Sequence, residues 1–177
     1  MIVIVSDSKT ERIGKSLLQY LNGKNMEVEF VSAGGRNIKP CYGCGGCTYK
    51  TFRKCVIRDD MDEIMPILVD SEIIVYISTL FWGSFFCEVK RIVDKTALMG
   101  DHFYHVKKKE LYKGVAGKTK KIAGIAVGDD PSESAAAAFT NLIREIGIIM
   151  GIDYMGKVIS GNISEEEIAR LGEEVLR

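Results

Sequence analysis

The sequence predicts an α/β fold in which a doubly wound parallel sheet of five strands carries helices on both faces. Five short apolar runs recur along the 177 residues, and segments with helical periodicity separate them. Parallel strands require helical crossovers and are buried on both faces, which accounts for this alternation. At this length we expect one domain over residues 1–177.

The order of elements follows from the same patterns. The predicted strands are 2–5, 28–31, 73–77, 122–127 and a short one near Val158 and Ile159. The predicted helices follow strand one, cover 61–70, about 85–99 and about 132–150, and begin again at Ser164, where Glu167 completes a capping box. In such a sheet ligands bind beyond the carboxyl ends of the strands where the strand order reverses, so the loops after strands one, three and four are the candidate site.

Composition and charge narrow the class of partner. Lys and Arg number 24, as do Asp and Glu, so the formal charge is zero and neither nucleic acid nor a membrane surface is an expected partner. The start of the chain has no secretory pattern and no window has the ~20 apolar residues of a membrane span. We therefore expect a cytoplasmic protein with a small partner, whose clustered cysteines serve a metal or redox chemistry rather than disulfides.

The loop after strand one, "SDSKTERIGKS", is rich in groups that bind anions. It offers hydroxyls and basic side chains around the start of a helix, whose free amides favour a phosphate. The "GKS" triplet lacks the first glycine of a nucleoside triphosphate loop at the required spacing. A helix cap with ordinary surface charges is the alternative interpretation. The residues concerned are Ser6, Ser8, Lys9, Thr10, Arg12, Gly14, Lys15 and Ser16.

Aromatic residues follow strand three in "STLFWGSFF". The segment places Phe81 and Trp82 beside Gly83 at the carboxyl end of a strand, where a planar heteroaromatic ligand could lie. The hydroxyls of Ser78 and Thr79 could contact polar ring atoms. The alternative is that these rings pack beneath a loop.

Four cysteines are spaced C-x2-C-x2-C-x7-C within the stretch 40–61, between strands two and three. Cys41, Cys44 and Cys47 suit a cubane cluster reached by a tightly turning backbone, with Cys55 as the fourth ligand. Zinc also takes four thiolates, although structural zinc usually draws on two separated C-x2-C pairs. Free or disulfide-linked thiols are the other alternative.

Several neighbouring residues receive structural interpretations. Asp59, Asp60 and Asp62 lie near a helix start, where carboxylates cap the helix and complement its dipole. Cys87 is expected to be a buried small hydrophobe. The segment 100–121, with seven lysines and two histidines, is expected to be a functional or interface loop. His102 and His105 within it are too isolated to predict a base or a metal ligand.

These motifs together resemble the flavodoxin-like NADPH-dependent FMN reductase superfamily and, within it, the iron-sulfur flavoprotein family. The resemblance rests on "SDSKTERIGKS", "IKPCYGCGGC...CVIRDDM", "STLFWGS" and "VGDD", in this order along nearly the whole chain. Asp7 and Lys9 stand where the family often has Gly and Pro. The resemblance implies the flavodoxin-like fold and a bound FMN.

The resemblance also implies which residues would bind the cofactors. It implies an FMN phosphate at Ser6, Ser8, Arg12, Gly14, Lys15 and Ser16, and the flavin ring against Thr79, Leu80, Phe81, Trp82 and Gly83, with Gly128, Asp129 and Asp130 on the far side. Cys41, Cys44, Cys47 and Cys55 correspond to the ligands of a 4Fe-4S cluster. No residue is assigned a catalytic role.

The expected function is therefore electron transfer between a two-electron flavin and a one-electron cluster. The alternative is an FMN-only NAD(P)H-dependent reductase of quinones, flavins or other small acceptors, in which the cysteines hold no cluster. A zinc-stabilised interaction domain without enzymatic activity is a third interpretation. The resemblance further implies a homodimer or homotetramer, with contacts in 100–121 and the cysteine loop, and a redox partner such as ferredoxin or NAD(P)H.

Overall fold

The computed structural model describes residues 1–101, 103–107 and 109–177. Its elements alternate between strand and helix over most of the chain. In chain order they are β1 (Ile2–Ser6), α1 (Glu11–Gly23), β2 (Val28–Ser32), α2 (Gly46–Tyr49), α3 (Met61–Asp70), β3 (Ile73–Phe81), β4 (Ser84–Phe85), α4 (Cys87–Asp94), a 3-10 helix (Thr96–Met99), β5 (His105–Lys107), β6 (Glu110–Tyr112), β7 (Lys121–Val127), α5 (Glu133–Met150), β8 (Asp153–Ile159) and α6 (Glu165–Leu176).

The central sheet has the strand order β2-β1-β3-β7-β8, and all of these strands are parallel. Numbered among the parallel strands alone, this is the flavodoxin-like order 2-1-3-4-5. The order reverses between β1 and β3, where Ile2 faces both Val28 and Ile73. The carboxyl ends of β1 and β3 therefore form the edge at which a ligand is expected.

The helices cover both faces of this sheet, as its buried apolar strands require. On one face α1 and α6 pack over a core that includes Leu17, Val75 and Leu171. On the other face α3, α4 and α5 cover a second core that includes Leu68 and Phe139. Among the described residues no helix is long and apolar enough to cross a membrane.

The predicted strands and helices are present, with several differences. The predicted helix over about 85–99 is divided into α4, which ends at Asp94, and the 3-10 helix Thr96–Met99. β3 continues four residues beyond the predicted end and turns back as β4. β8 begins at Asp153 rather than near Val158. The segment 100–121 contains the antiparallel pair β5 and β6, in which His105 faces Tyr112. Ser132 caps α5, and Ser164 with Glu167 forms the predicted capping box of α6.

Candidate functional site

The loop between β1 and α1 is organised around the buried carboxylate of Asp7. This carboxylate accepts hydrogen bonds from the amides of Lys9 and Thr10 at 3.0 and 2.9 Å. It also accepts from the hydroxyl of Ser78 at 3.0 Å and the amide of Thr79 at 2.6 Å. Asp7 thus joins the loop after β1 to the end of β3. From the sequence alone, Asp7 is notable only because it stands where the family that the chain resembles often has glycine.

Ser8 holds a second carboxylate at the same loop. Its amide and its hydroxyl donate to the two carboxylate oxygens of Glu88, at 2.7 and 3.1 Å. Gly34 packs so closely against Ser8 that an added Cβ would lie 3.0 Å from the serine Cβ. The amide and hydroxyl of Ser8, which are predicted to bind a phosphate, therefore bind the carboxylate of Glu88 in the first turn of α4. No local sequence signal connects positions 8 and 88.

The other residues that are predicted to bind the phosphate each have a different environment. The Ser6 hydroxyl is buried and has no hydrogen-bond partner among the described residues. Arg12 donates to the carbonyl of Gly161 at 2.8 Å, beyond the end of β8. Lys15 forms an ion pair with Glu11 at 3.0 Å on the surface of α1.

Four predicted phosphate residues lie within helix α1, and Gly14 and Ser16 are the two not yet described. Gly14 is buried, and a Cβ there would approach the ring of Phe30 to 2.8 Å, so this glycine permits helix α1 to pack on β2. Ser16 lies half-buried in the second turn. The structure thus brings Ser6 and Ser8 to the sheet edge, while Gly14 has a packing contact.

The aromatic segment forms a tight hairpin rather than an open loop. Phe81 faces Ser84 across β3 and β4, and the two connecting residues, Trp82 and Gly83, have φ values of 51° and 72°. Two residues with positive φ are typical of a type I′ turn. Trp82 is 91% exposed and Phe81 is 52% exposed. The aromatic pair therefore projects from the sheet edge, and packing beneath a loop is not observed.

The residues at the base of this hairpin face neighbouring elements. The Ser78 hydroxyl, which donates to Asp7, also accepts from the amide of Phe86 at 2.8 Å. A Cβ on Gly83 would lie 2.8 Å from Ala138, so the turn lies against α5. Leu80 lies beside Gly128, where an added Cβ would be 3.3 Å from the leucine Cβ.

The turn after β7 lies at the same edge and is tied to the turn after β8. The Gly128 amide donates to the carbonyl of Ile159 at 3.0 Å. Asp129 accepts from the Ser160 hydroxyl and the Gly161 amide, both at 3.1 Å. Asp130 has a φ of 54°. The Gly128–Asp129–Asp130 turn therefore has the predicted location beyond a strand end.

The four clustered cysteines line one pocket. Cys41, Cys44, Cys47 and Cys55 are all free thiols, and their shared pocket is also lined by Lys95. The cavity between them measures about 30 Å³, and Cys41 and Cys44 are exposed at its edge. Residues that span fifteen sequence positions are therefore gathered around one pocket.

The thiols do not converge on a single point. Among the described residues no three His, Cys, Asp or Glu side chains are close enough to hold a metal ion. A zinc site requires its ligands around one ion, whereas a cubane cluster gives each iron its own thiolate. The chemistry of the donor set suits a cluster, and the loop would have to open to admit one.

Two aspartates close the base of the cysteine loop. Asp59 accepts from the amide of Lys39, which precedes the cysteines, at 2.8 Å, and from the amide of Met61 at 3.0 Å. Asp60 accepts from the amide of Asn37 at 2.8 Å. Asp60 precedes α3 but makes no side-chain cap to it, so the predicted capping is not observed for Asp60, while Asp59 binds the first amide of the helix. Asp59 and Asp60 instead join the two ends of the loop.

Asp59 also forms a buried ion pair with Lys95, which follows α4. The two side chains are 0% and 1% exposed. Burial alone raises the pKa of the Asp59 carboxyl, but hydrogen bonds from Lys95 and from the amides of Lys39 and Met61 hold that pKa below its ordinary value. The Lys95 ammonium, which is paired with the Asp59 carboxylate, therefore lies at the wall of the pocket that the four cysteines line.

The prediction for Cys87 is wrong. This residue is exposed at the first position of α4, because the buried side chains of that helix are Val89, Ile92 and Val93. His105 lies 2.7 Å from the carboxylate of Asp101 and does not contribute to the sites described above. The prediction for His102 lies outside the described residues.

Curated relatives share sequence with much of the chain. An iron-sulfur flavoprotein from Archaeoglobus fulgidus is 26% identical over 154 residues, covering 86% of this chain and 64% of that protein. An iron-sulfur flavoprotein from Methanosarcina thermophila is 27% identical over 99 residues, covering 56% of this chain and 51% of that protein. The matches thus span between about half and two thirds of these relatives' length. No family model matches the chain.

A solved structure agrees with the fold. The NAD(P)H:quinone oxidoreductase from Methanothermobacter marburgensis superimposes with a TM-score of 0.67 at 10% identity, covering 99% of this chain and 96% of that chain. At such low identity the likeness concerns the fold alone. The chain is thus similar in sequence to iron-sulfur flavoproteins, and its strand order is that of the flavodoxin-like fold.

Proposed function

We propose that the chain is a flavin-dependent oxidoreductase that binds FMN at the carboxyl ends of β1, β3 and β7 and a 4Fe-4S cluster at Cys41, Cys44, Cys47 and Cys55. When bound, FMN supplies two-electron chemistry and the cluster supplies one-electron transfer. The protein would contribute binding, orientation and electrostatics.

The observation that carries this proposal is the gathering of four free thiols in one pocket. Cys47 and Cys55 also pack against the core beneath α3 and α4, so two of the ligands have a rigid base. The relatives named iron-sulfur flavoprotein support the same chemistry. Opening of the loop is part of the proposal, because the thiols do not converge in the described part of the chain.

The flavin part of the proposal is supported by the sheet edge. Ser8 donates its amide and hydroxyl to the Glu88 carboxylate, which supports the proposal that these groups can bind an anion at the end of β1. The exposed rings of Phe81 and Trp82 lie at the neighbouring strand and offer apolar area to a planar ligand. Asp7 holds these two loops together.

Lys95 and Asp59 would position the cysteine loop. Asp59 binds the backbone on both sides of the cysteines, and Lys95 places a fixed cation at the pocket wall. These residues are positioning residues, because neither is proposed to contact iron.

Serine substitutions test the cluster assignment. Protein prepared anaerobically should lose iron and sulfide in the Cys55→Ser variant, since a hydroxyl is a poor iron ligand, and should retain flavin. The matched control is Cys87→Ser, which changes an exposed cysteine outside the pocket. The paramagnetic signal of the reduced cluster should be present in the control and absent from Cys55→Ser. Equal iron content in both variants would contradict the assignment.

An FMN-only NAD(P)H-dependent reductase is the second candidate. The thiols are free and do not converge among the described residues, which favours this candidate because free cysteines need no common ligand position. This candidate predicts flavin, four titratable thiols and no iron after anaerobic reconstitution. The serine variants would then reduce small acceptors as fast as the wild type.

The proposal includes a redox partner, such as ferredoxin or NAD(P)H, and a homodimer or homotetramer. Exposed apolar side chains on the cysteine loop and the β5–β6 pair support self-association, including Tyr42, Tyr49, Val106 and Leu111. The five free cysteines are consistent with a reducing cytoplasm.

A further inference from the structure

Glu88 occupies hydrogen-bond donors that a bound anion would use. Its two carboxylate oxygens accept from the amide and the hydroxyl of Ser8, at 2.7 and 3.1 Å. Charge-assisted bonds of this kind are stronger than neutral ones, so Ser8 has little capacity left for a second anion. A phosphate and the Glu88 carboxylate would therefore compete for one pair of donors.

The two carboxylates at this loop differ in their freedom to leave. Asp7 is fully buried and is held by donors from both the β1–α1 loop and β3, so its departure would open the fold. Glu88 is half-buried and reaches Ser8 from the surface of α4. Of the two, Glu88 is the anion that can be displaced.

The position of Glu88 in α4 keeps the free-energy cost of displacing its carboxylate from Ser8 small. It lies in the first turn of α4, and the capping residue Phe86 supplies no side-chain cap. A carboxylate released from Ser8 would remain near the positive end of the helix dipole. Lys9, whose ammonium lies 4.7 Å from the centre of the Phe86 ring, brings a neighbouring positive charge to the same loop.

We infer that Glu88 is a specificity-determining residue of the β1–α1 loop, occupying the Ser8 donors until the phosphate of an incoming ligand displaces it. This inference rests on the proposed FMN function. It implies that the native chain discriminates between FMN and riboflavin less strongly than its donors allow. A neutral side chain at position 88 would remove the competing charge and increase that discrimination.

The test is the ratio of the riboflavin and FMN dissociation constants, measured by flavin fluorescence with apoprotein. Removal of the charge in Glu88→Gln should raise this ratio by about tenfold, the effect of one charge-assisted contact. Glu88→Ala should act in the same direction, and riboflavin affinity should change little. Glu133→Gln, at the first turn of α5, is the matched control and should leave the ratio unchanged.

The possible results separate the role of Glu88 from FMN binding by the native chain. Equal ratios in the wild type and Glu88→Gln, with both flavins bound, would overturn the role of Glu88 and leave the proposed function intact. FMN binding by Glu88→Gln alone would support the role of Glu88 and contradict FMN binding by the native chain. Absence of flavin binding in all variants would overturn both. In the ligand-free protein the Ser8 amide resonance should shift in Glu88→Gln, and an unchanged resonance would contradict the contact.

Discussion

At the residue scale, buried carboxylates organise both candidate sites. Asp7 connects the loop after β1 to β3, and Asp59 connects the two ends of the cysteine loop. Each accepts backbone amides as well as side-chain donors, which compensates for the loss of water. These aspartates hold the loops in place, so the proposed cofactor contacts come from neighbouring side chains.

The buried ion pair between Lys95 and Asp59 gives the first prediction. Lys95→Met leaves an uncompensated buried carboxylate and should lower the free energy of unfolding by about 3–5 kcal/mol. Asp59→Asn combined with Lys95→Met removes both charges, but asparagine has one carbonyl oxygen and can replace only one of the two carboxylate oxygens that bind the amides. The double variant should therefore recover only part of this loss. Lys118→Met is the control, because its pair with Asp70 is exposed, and should cost at most about 1 kcal/mol. Urea titration measures the free energy of unfolding of the three variants.

The lowered pKa of Asp59 adds a pH dependence to this prediction. A carboxyl whose pKa is lower in the folded state contributes stability that is complete above its unfolded value of about 3.9. That contribution is lost as the pH falls from there through the lower folded value. The double variant should lack this part of the acid destabilisation, and an identical acid profile in both proteins would contradict the assigned pair.

The tryptophan at the hairpin tip gives the second prediction. Position 82 has a positive φ, where asparagine is favoured over a bulky side chain. Trp82→Asn should therefore preserve or increase stability and still weaken FMN retention, because the exposed ring is removed. Thermal unfolding and flavin titration separate these two effects. Stable protein with unchanged FMN affinity would show that the ring of Trp82 does not contact the flavin.

At the element scale, close packing of α5 on the sheet depends on glycine in β7. A Cβ on Gly124 would lie 2.2 and 2.5 Å from atoms of the buried Ile143 side chain. Gly124→Ala should lower the free energy of unfolding by about 1–3 kcal/mol, as overpacking usually does. Gly23→Ala is the matched control, because nothing lies within 4 Å of its added Cβ, and should be neutral or slightly stabilising. Equal stability of the two variants would contradict the packing.

The sequence predicts most elements because their signals are local. Apolar runs locate the five parallel strands, and Ser164 with Glu167 locates the start of α6. The sequence does not predict the β3–β4 hairpin, because tryptophan is an unusual residue in a type I′ turn. The pairing of Ser8 with Glu88 was missed because it joins positions eighty residues apart. Local patterns carry no information about such a contact.

At the scale of the whole molecule, exposed apolar side chains predict self-association. Light scattering should give a mass two or four times the chain mass of 19.6 kDa. Val106→Lys combined with Leu111→Lys places charges on the exposed β5–β6 pair and should lower that mass. Met26→Lys, outside that segment, should leave the mass unchanged. A monomer in the wild type would contradict the prediction.

The cysteine loop also shows what a sequence pattern can establish about a site. The spacing predicts four ligands in one place, and the four thiols do line one pocket. It does not predict how closely the thiols converge, which depends on how Lys95 and the residues after α4 pack against the loop. The cluster therefore remains a proposal that depends on opening of this loop.

The cofactor content of protein purified without oxygen tests the proposed flavin and cluster together. We predict one FMN, four iron and four sulfide per chain, with a broad brown absorption added to the resolved flavin bands. Colourless protein, full occupancy by zinc, or flavin with four titratable thiols and no iron after reconstitution would contradict this prediction.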